Sequence, residues 1–171
     1  VSTPPYEIER KFLLHEPDRD ALAGAASSRS DIEQVYLDDR GTGAERVRRR
    51  VVTDRDGGER VELTHTRKVA VRPGVVEEHE RVIDETEYAE LLDRADPLRR
   101  PVRKTRWVVP WAEHVLEIDE VREPRRLWLL EVELDDEDDL ERPITLPGWV
   151  GEHTEVTGDE RYANRSIALP D

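Results

Sequence analysis

Apolar and polar residues alternate with a period of two along most of the chain, the pattern of strands with two unlike faces. In Tyr6-Glu7-Ile8-Glu9-Arg10-Lys11-Phe12, for example, Glu7, Glu9 and Lys11 fall on one face and Ile8 and Phe12 on the other. Eight such segments predict strands near 5–14, 32–38, 45–53, 60–70, 75–83, 101–109, 113–121 and 127–134. Asp39-Arg40-Gly41-Thr42-Gly43, Asp56-Gly57-Gly58 and Arg72-Pro73-Gly74 supply turn chemistry between several of them. Helices are expected over 18–26, behind Pro17, and over 84–95, which opens on acidic residues and stops before Pro97. The run Asp135-Asp136-Glu137-Asp138-Asp139 reads as a short capped helix or a solvated loop, and the tail over 144–170 is mixed, with Trp149 and Tyr162 as packing anchors. No repeat or long linker divides the chain. The expected fold is mainly β (α+β), a single domain over 1–171 built as an eight-stranded antiparallel barrel with a few flanking helices.

The polar faces of these strands are unusual. Glu117 and Asp119 share a face, as do Glu131 and Glu133, and as do Glu78 and Glu80. Arg46, Arg48 and Arg50 line up likewise, Lys104 lies two before Arg106, and Lys68 lies two after Thr66. Any one strand could simply turn its charges to water. Taken together, the strands are sorted by sign, and serine, asparagine and glutamine are scarce among the charges. Eight carboxylates (Glu7, Glu9, Glu78, Glu80, Glu117, Asp119, Glu131, Glu133) and seven cations would then point into one barrel. Burying that set is costly unless the interior is wet and binds charged ligands. Cationic strands suit an anion, and acidic strands suit a hard divalent ion bridging to it. A metal-dependent polyphosphate site is the chemistry that needs both.

Composition adjusts this picture in three places. Charged residues are 40 % of the 171 positions and hydrophobic ones 36 %, which resembles a disordered chain; the period-two pattern rejects disorder. The net charge of −14 argues against nucleic acid or an anionic membrane as partner, and the near-balanced inward set leaves nearly all of it outside. There is no cysteine, so disulfides and thiolate sites are excluded, and no apolar run reaches the length of a membrane-spanning helix. Residues 1–5 lack the basic and apolar regions of a signal peptide, so a cytoplasmic protein is expected. Of 27 basic residues only Lys11, Lys68 and Lys104 are lysine. Lysine kept against such an arginine bias suggests sites that need a compact ammonium.

The same residues resemble the CYTH family, the triphosphate tunnel metalloenzymes. Glu7-Ile8-Glu9-Arg10-Lys11 is similar to its ExExK signature, and nine further blocks follow in family order over about 160 residues. They are Gln34-Val35-Tyr36-Leu37, Arg46-Val47-Arg48, Thr66-Arg67-Lys68, Glu78-His79-Glu80, Lys104-Thr105-Arg106-Trp107, Glu117-Ile118-Asp119, Glu131-Val132-Glu133, Glu155-Val156-Thr157 and Arg161-Tyr162-Ala163-Asn164. All three lysines lie inside matched blocks.

The resemblance implies that the barrel forms a tunnel. It implies Glu7, Glu9, Asp119, Glu131 and Glu133, assisted by Glu117, as carboxylates for one or two Mg2+ or Mn2+ ions. Lys11, Arg46, Arg48, Lys68 and Arg106 would clamp the triphosphate; Arg50 lies one step beyond the family's usual pair. Glu78 and Glu80 would order the basic residues. Lys104 is similar to a lysine taken as general base, with phosphate binding as its rival role; Glu7, Glu9 and Lys104 are thus the expected catalytic residues, with metal-activated water as nucleophile. The expected reaction is hydrolysis of inorganic triphosphate. Thiamine or nucleoside triphosphatase, class IV adenylyl cyclase and a non-catalytic polyphosphate-binding module are the alternatives. The expected partner is a small anionic triphosphate; oligomeric state is open, a homodimer included.

The remaining polar and aromatic residues read as structural. His65 and His79 fall on the opposite strand faces from Thr66 and Glu78, and His15, His114 and His153 have no ligand-like spacing. Trp107, Trp111 and Trp128 read as packing residues, and Ser27, Ser28 and Ser30 as loop or helix-end residues.

Overall fold

The computed structural model describes residues 6–38, 40, 41 and 43–170. The N-terminal pentapeptide, including the expected strand start at Pro5, and Asp39 and Thr42 of the first expected turn lie outside the described residues. Eight strands close into an antiparallel barrel: β1 (Tyr6–Leu14), β2 (Ser28–Tyr36), β3 (Ala44–Asp54), β4 (Glu59–Arg72), β5 (Val75–Val82), β6 (Val102–Trp111), β7 (His114–Glu123) and β8 (Leu127–Leu134). Around the barrel the order is β5-β4-β3-β2-β6-β7-β8-β1, and β1 returns to β5.

The closure between β1 and β5 is short. Tyr6, Glu7 and Ile8 pair with Glu77, Val76 and Val75. Beyond that point β1 leaves β5, and Phe12 to Leu14 instead pair with a ninth strand, β9 (His153–Glu155). A seam therefore opens between β1 and the β4–β5 turn. It is bridged by Glu9 N donating to Gly74 O and by Lys11 N donating to Thr157 Oγ1, both at 3.0 Å. Gly74 fits this tight approach: its φ is 77°, and a Cβ there would lie 3.3 Å from Glu9 O.

Most of the barrel's apolar residues point outward, where helices and loops cover them. Phe12, Leu116, Ile118, Leu130 and Val132 form the largest cluster with Leu22 of α1 (Arg19–Ala25) and Val150. Trp107, Trp111 and Trp149 pack against it, as the sequence suggested for these aromatics. Asp18 caps α1 by accepting from Asp20 N and Ala21 N. Leu37, Val47 and Ile83 form a second outer cluster, under Tyr88, Leu91 and Leu92 of α2 (Glu85–Leu92).

A third cluster lies inside one end of the barrel. There Tyr36, Val102, Val121 and Leu129 meet Ile167 and Ala168, at the end of the short helix α3 (Asn164–Ile167), with Tyr162 packed against them. This plug confines the charged interior to the rest of the lumen.

Three differences from the expected elements matter. β2 begins at Ser28, four residues early, so Ser28 and Ser30 belong to a strand and Ser30 is 3 % exposed. Ser28-Arg29-Ser30-Asp31 has no apolar position to betray it. β9 and α3 lie within the tail that the sequence marks only as mixed. α2 stops at Leu92, where Asp93 caps it. The acidic run takes the first of its two expected forms, a short capped helix: the 3-10 helix Glu137–Glu141, capped by Asp136.

Candidate active site

The register assigns the faces. Glu9 pairs with Glu133 and Lys11 with Glu131 between β1 and β8, and Glu131 pairs in turn with Glu117 on β7. Arg106 pairs with Asp119 and Ser30, and Arg48 pairs with Gln34 and Thr64. Lys68 pairs with Ala44 and Glu78. Directly paired residues in a sheet point the same way, so one face carries every expected site residue, and the third cluster shows that this face is the lumen. His65 pairs with Arg81 and His79 with Arg67, on the opposite face, so both lie outside, His65 Nε2 at 3.3 Å from Glu45 Oε2.

The lumen holds a cavity of about 170 Å3 whose walls include Arg46, Arg48, Lys68, Arg106, Glu131 and Glu133. A second chamber of about 510 Å3 lies beside it against the seam, where Glu9 and Lys11 form part of the wall. Arg46, Lys68 and Asn164 line both.

Charges are paired by sign across the walls. Lys68 contacts Glu7 and stands 2.7 Å from Glu78; Lys11 stands 2.9 Å from Glu131. Arg48 Nη2 donates to Glu80 Oε2 at 2.6 Å, and Arg50 is held by Glu62. Arg106 touches Glu117, Asp119 and Glu131, and Lys104 Nζ lies 2.5 Å from Asp119 Oδ2 with 1 % exposure.

These environments move the protonation equilibria in opposite directions. Burial pushes the Lys104 ammonium down to about 8, outweighing the attraction of Asp119. Burial and neighbouring Arg46 bring Arg48 down to about 10. For Glu131 burial is overcome by Lys11, Arg106 and Lys104, which hold it well below the usual carboxylate range. Glu9 is the reverse case: burial and repulsion from Glu131 push it up to about 7. Glu133 is raised by burial and by Glu7 and Glu117, and Glu7 by burial despite Lys68.

Glu7, Glu9 and Glu133 thus ionise less readily than free carboxyls, and a cation bound beside them would favour their charged form. Carboxylate oxygens are the donors a hard divalent ion takes, so the chemistry of this set fits Mg2+ or Mn2+. Among the described residues no three acidic or histidine side chains stand together as a ready metal site.

Sequence reasoning missed several lumen residues, Ser30, Glu62 and Asn164 among them. Glu62 follows from the turn over 54–58, which sets Arg50 opposite Glu62; counting across that hairpin would have found it. Asn164 sits on a four-residue helix in the tail, and nothing in its spacing places it in a tunnel. Its Oδ1 is buried without a hydrogen-bond partner, as is Arg46 Nε.

No protein-family model and no curated protein matches the chain. Solved structures do. The inorganic triphosphatase NE1496 is 29 % identical, covering 100 % of this chain and 97 % of its own, with a TM-score of 0.55. A structure of the hypothetical protein NE1496 is 30 % identical over 96 % of this chain and 99 % of its own, also at 0.55. The PH1819 protein from Pyrococcus horikoshii OT3 shares the fold at 23 % identity, over 78 % of this chain and 81 % of its own, with a TM-score of 0.52. The chain belongs to the CYTH family of triphosphate tunnel proteins. No helix among the described residues is long and apolar enough to cross a membrane.

Proposed function

We propose that this protein hydrolyses inorganic triphosphate to pyrophosphate and phosphate with a divalent metal. The reading rests above all on one observation: a barrel lumen in which Arg46, Arg48, Lys68, Lys104 and Arg106 on β3, β4 and β6 face Glu7, Glu9, Glu117, Glu131 and Glu133 on β1, β7 and β8, with Lys11 as the cation among these carboxylates. Its similarity to an inorganic triphosphatase over the full chain supports the same substrate.

Arg46, Arg48, Lys68 and Arg106 face the cavity and would bind the equatorial phosphate oxygens, with Lys11 reaching in from the seam side. Glu7, Glu9, Glu131 and Glu133, with Glu117 beside them, would hold the metal. The chemistry such a cation supplies when bound is neutralisation of phosphate charge and a lowered pKa for water. Water adds to the terminal phosphorus, the P–O bond to pyrophosphate breaks, and one water proton is released. Glu78 and Glu80 hold Lys68 and Arg48 in place.

Phosphate release from inorganic triphosphate, ATP and thiamine triphosphate, each with Mg2+ and Mn2+, tests the reading. Inorganic triphosphate is expected to give the highest kcat/KM; rates no faster than buffer for all three would overturn it. A Glu131→Gln variant separates an enzyme from a binding module. Turnover should fall about a hundredfold or more while metal-free triphosphate binding persists, because the lost charge had competed for Lys11 and Arg106.

A further inference from the structure

Asp119 was expected among the metal ligands, on the same face as Glu117. Its surroundings differ from those of every other lumen carboxylate. It is 1 % exposed, and the tunnel cavity is lined by Lys104, Arg106, Glu117, Glu131 and Glu133 but not by Asp119. Oδ1 accepts from Arg106 Nε at 2.6 Å; Oδ2 accepts from Lys104 Nζ at 2.5 Å and from Arg106 Nη2 at 2.8 Å.

We propose that Asp119 is a positioning residue, which fixes Lys104 and Arg106 from behind, and that it does not ligate metal. The inference rests on the triphosphatase reading. A carboxylate has about four lone-pair sites, and charged donors occupy three of them here. Drawing Asp119 onto a metal ion would strip its counter-charge from Lys104, which is as deeply buried as Asp119 itself.

The geometry also divides the guanidinium of Arg106 into two edges. Asp119 grips the Nε–Nη2 edge in bidentate fashion, while Nη1 touches Glu117 and Nη2 also reaches Glu131 at 2.9 Å. Glu117 and Glu131 line the cavity and can exchange partners as a ligand enters. Asp119 lies behind and keeps its grip, so Arg106 presents its free edge to a phosphate oxygen without losing orientation.

The test compares Asp119→Asn with Glu133→Gln in the full chain. Mn2+ affinity is read by electron paramagnetic resonance, and triphosphate affinity by calorimetry with EDTA. Asp119→Asn should keep Mn2+ affinity within about twofold and weaken triphosphate about tenfold, the scale of losing a hydrogen bond to a charged group. In turnover it should raise KM for triphosphate more than it raises the half-saturating Mn2+ concentration. Glu133→Gln should weaken Mn2+ about tenfold and leave metal-free triphosphate binding intact. Mn2+ loss in Asp119→Asn as large as in Glu133→Gln, or undiminished triphosphate binding, would overturn the inference. Should Asp119→Asn not fold, Mn2+ anomalous diffraction from wild-type crystals decides: an Asp119 oxygen about 2.1 Å from the ion overturns the inference, and intact contacts to Lys104 and Arg106 support it. Wild-type protein that binds neither Mn2+ nor triphosphate overturns the triphosphatase reading itself, and this inference with it.

Discussion

Arg48 on β3 reaches over β4 to Glu80 on β5, its Nη2 donating to Glu80 Oε2 at 2.6 Å. Thr66 on the intervening strand donates to the same oxygen at 2.8 Å. The contact therefore ties three strands together on the cationic wall, and it offsets one of two adjacent guanidiniums. Glu80 is about one-third exposed, so water screens part of the interaction. Glu80→Gln should cost only about 0.5–1 kcal/mol of stability. It should also leave Arg48 and Arg46 under-compensated, so that triphosphate raises the melting temperature more in the variant than in the wild type. Thermal melts with and without triphosphate check both statements.

Glu9 gives the metal-free protein a pH dependence of definite sign. Burial and Glu131 push its pKa up to about 7, from 4.5 when unfolded. A carboxyl raised on folding contributes stability that is full below about 4.5 and lost as pH rises towards 7. In EDTA, the melting temperature should accordingly have a falling component between about pH 5 and 7, which Glu9→Gln removes. Mn2+ added at pH 7.5 should restore stability to the wild type and much less to the variant. Melts across this range in both proteins would show it; equal slopes would contradict the assignment.

The strand alternation revealed the fold and most of the residues that face the lumen because period two leaves little choice of face once a barrel closes. Glu7, Glu9 and Lys11 could be assigned together from seven residues of sequence. Burial of so many charges then followed from their sorting by sign. What escaped was set by other physics. Ser30 is a lumen residue on a strand end with no apolar neighbour to mark it, and Asn164 reaches the tunnel because Ile167 and Ala168 plug the barrel end. Sequence spacing also places Glu117 and Asp119 on one face, but the packing separates the one that lines the cavity from the one shielded behind two cations.

The sequence offers Lys104 two roles, general base and phosphate ligand. Burial holds its ammonium at about 8, and Asp119 at 2.5 Å is the contact that keeps it charged. An anion arriving beside it favours the charged form further. As a phosphate ligand, Lys104 predicts that kcat/KM for triphosphate declines as pH rises through about 8, with that limb missing in Lys104→Met. A general base predicts the opposite, a rise in rate through the same region. Profiles from about pH 6 to 10 in both proteins distinguish the roles by the sign of one slope.

Asn164 and Arg46 both line the tunnel cavity and the larger chamber beside it, and each carries a buried polar atom without a partner, Oδ1 and Nε respectively. Leaving such groups unsatisfied costs about 1–3 kcal/mol each, which a ligand bonding to them would recover. Arg46 Nε is a donor and suits a phosphate oxygen directly. The Asn164 amide can turn over about its last side-chain bond and offer Nδ2 at the same point, since its two ends have nearly the same shape. Asn164→Ala should thus raise KM for triphosphate by about three- to tenfold with a smaller change in kcat, the effect of losing a neutral hydrogen bond to bound substrate. Asn164→Asp should be worse than alanine, because it sets a carboxylate against the phosphate and competes for Arg46. Steady-state kinetics and metal-free triphosphate titration of both variants measure this order, and an unchanged KM in Asn164→Ala would exclude the amide from substrate binding.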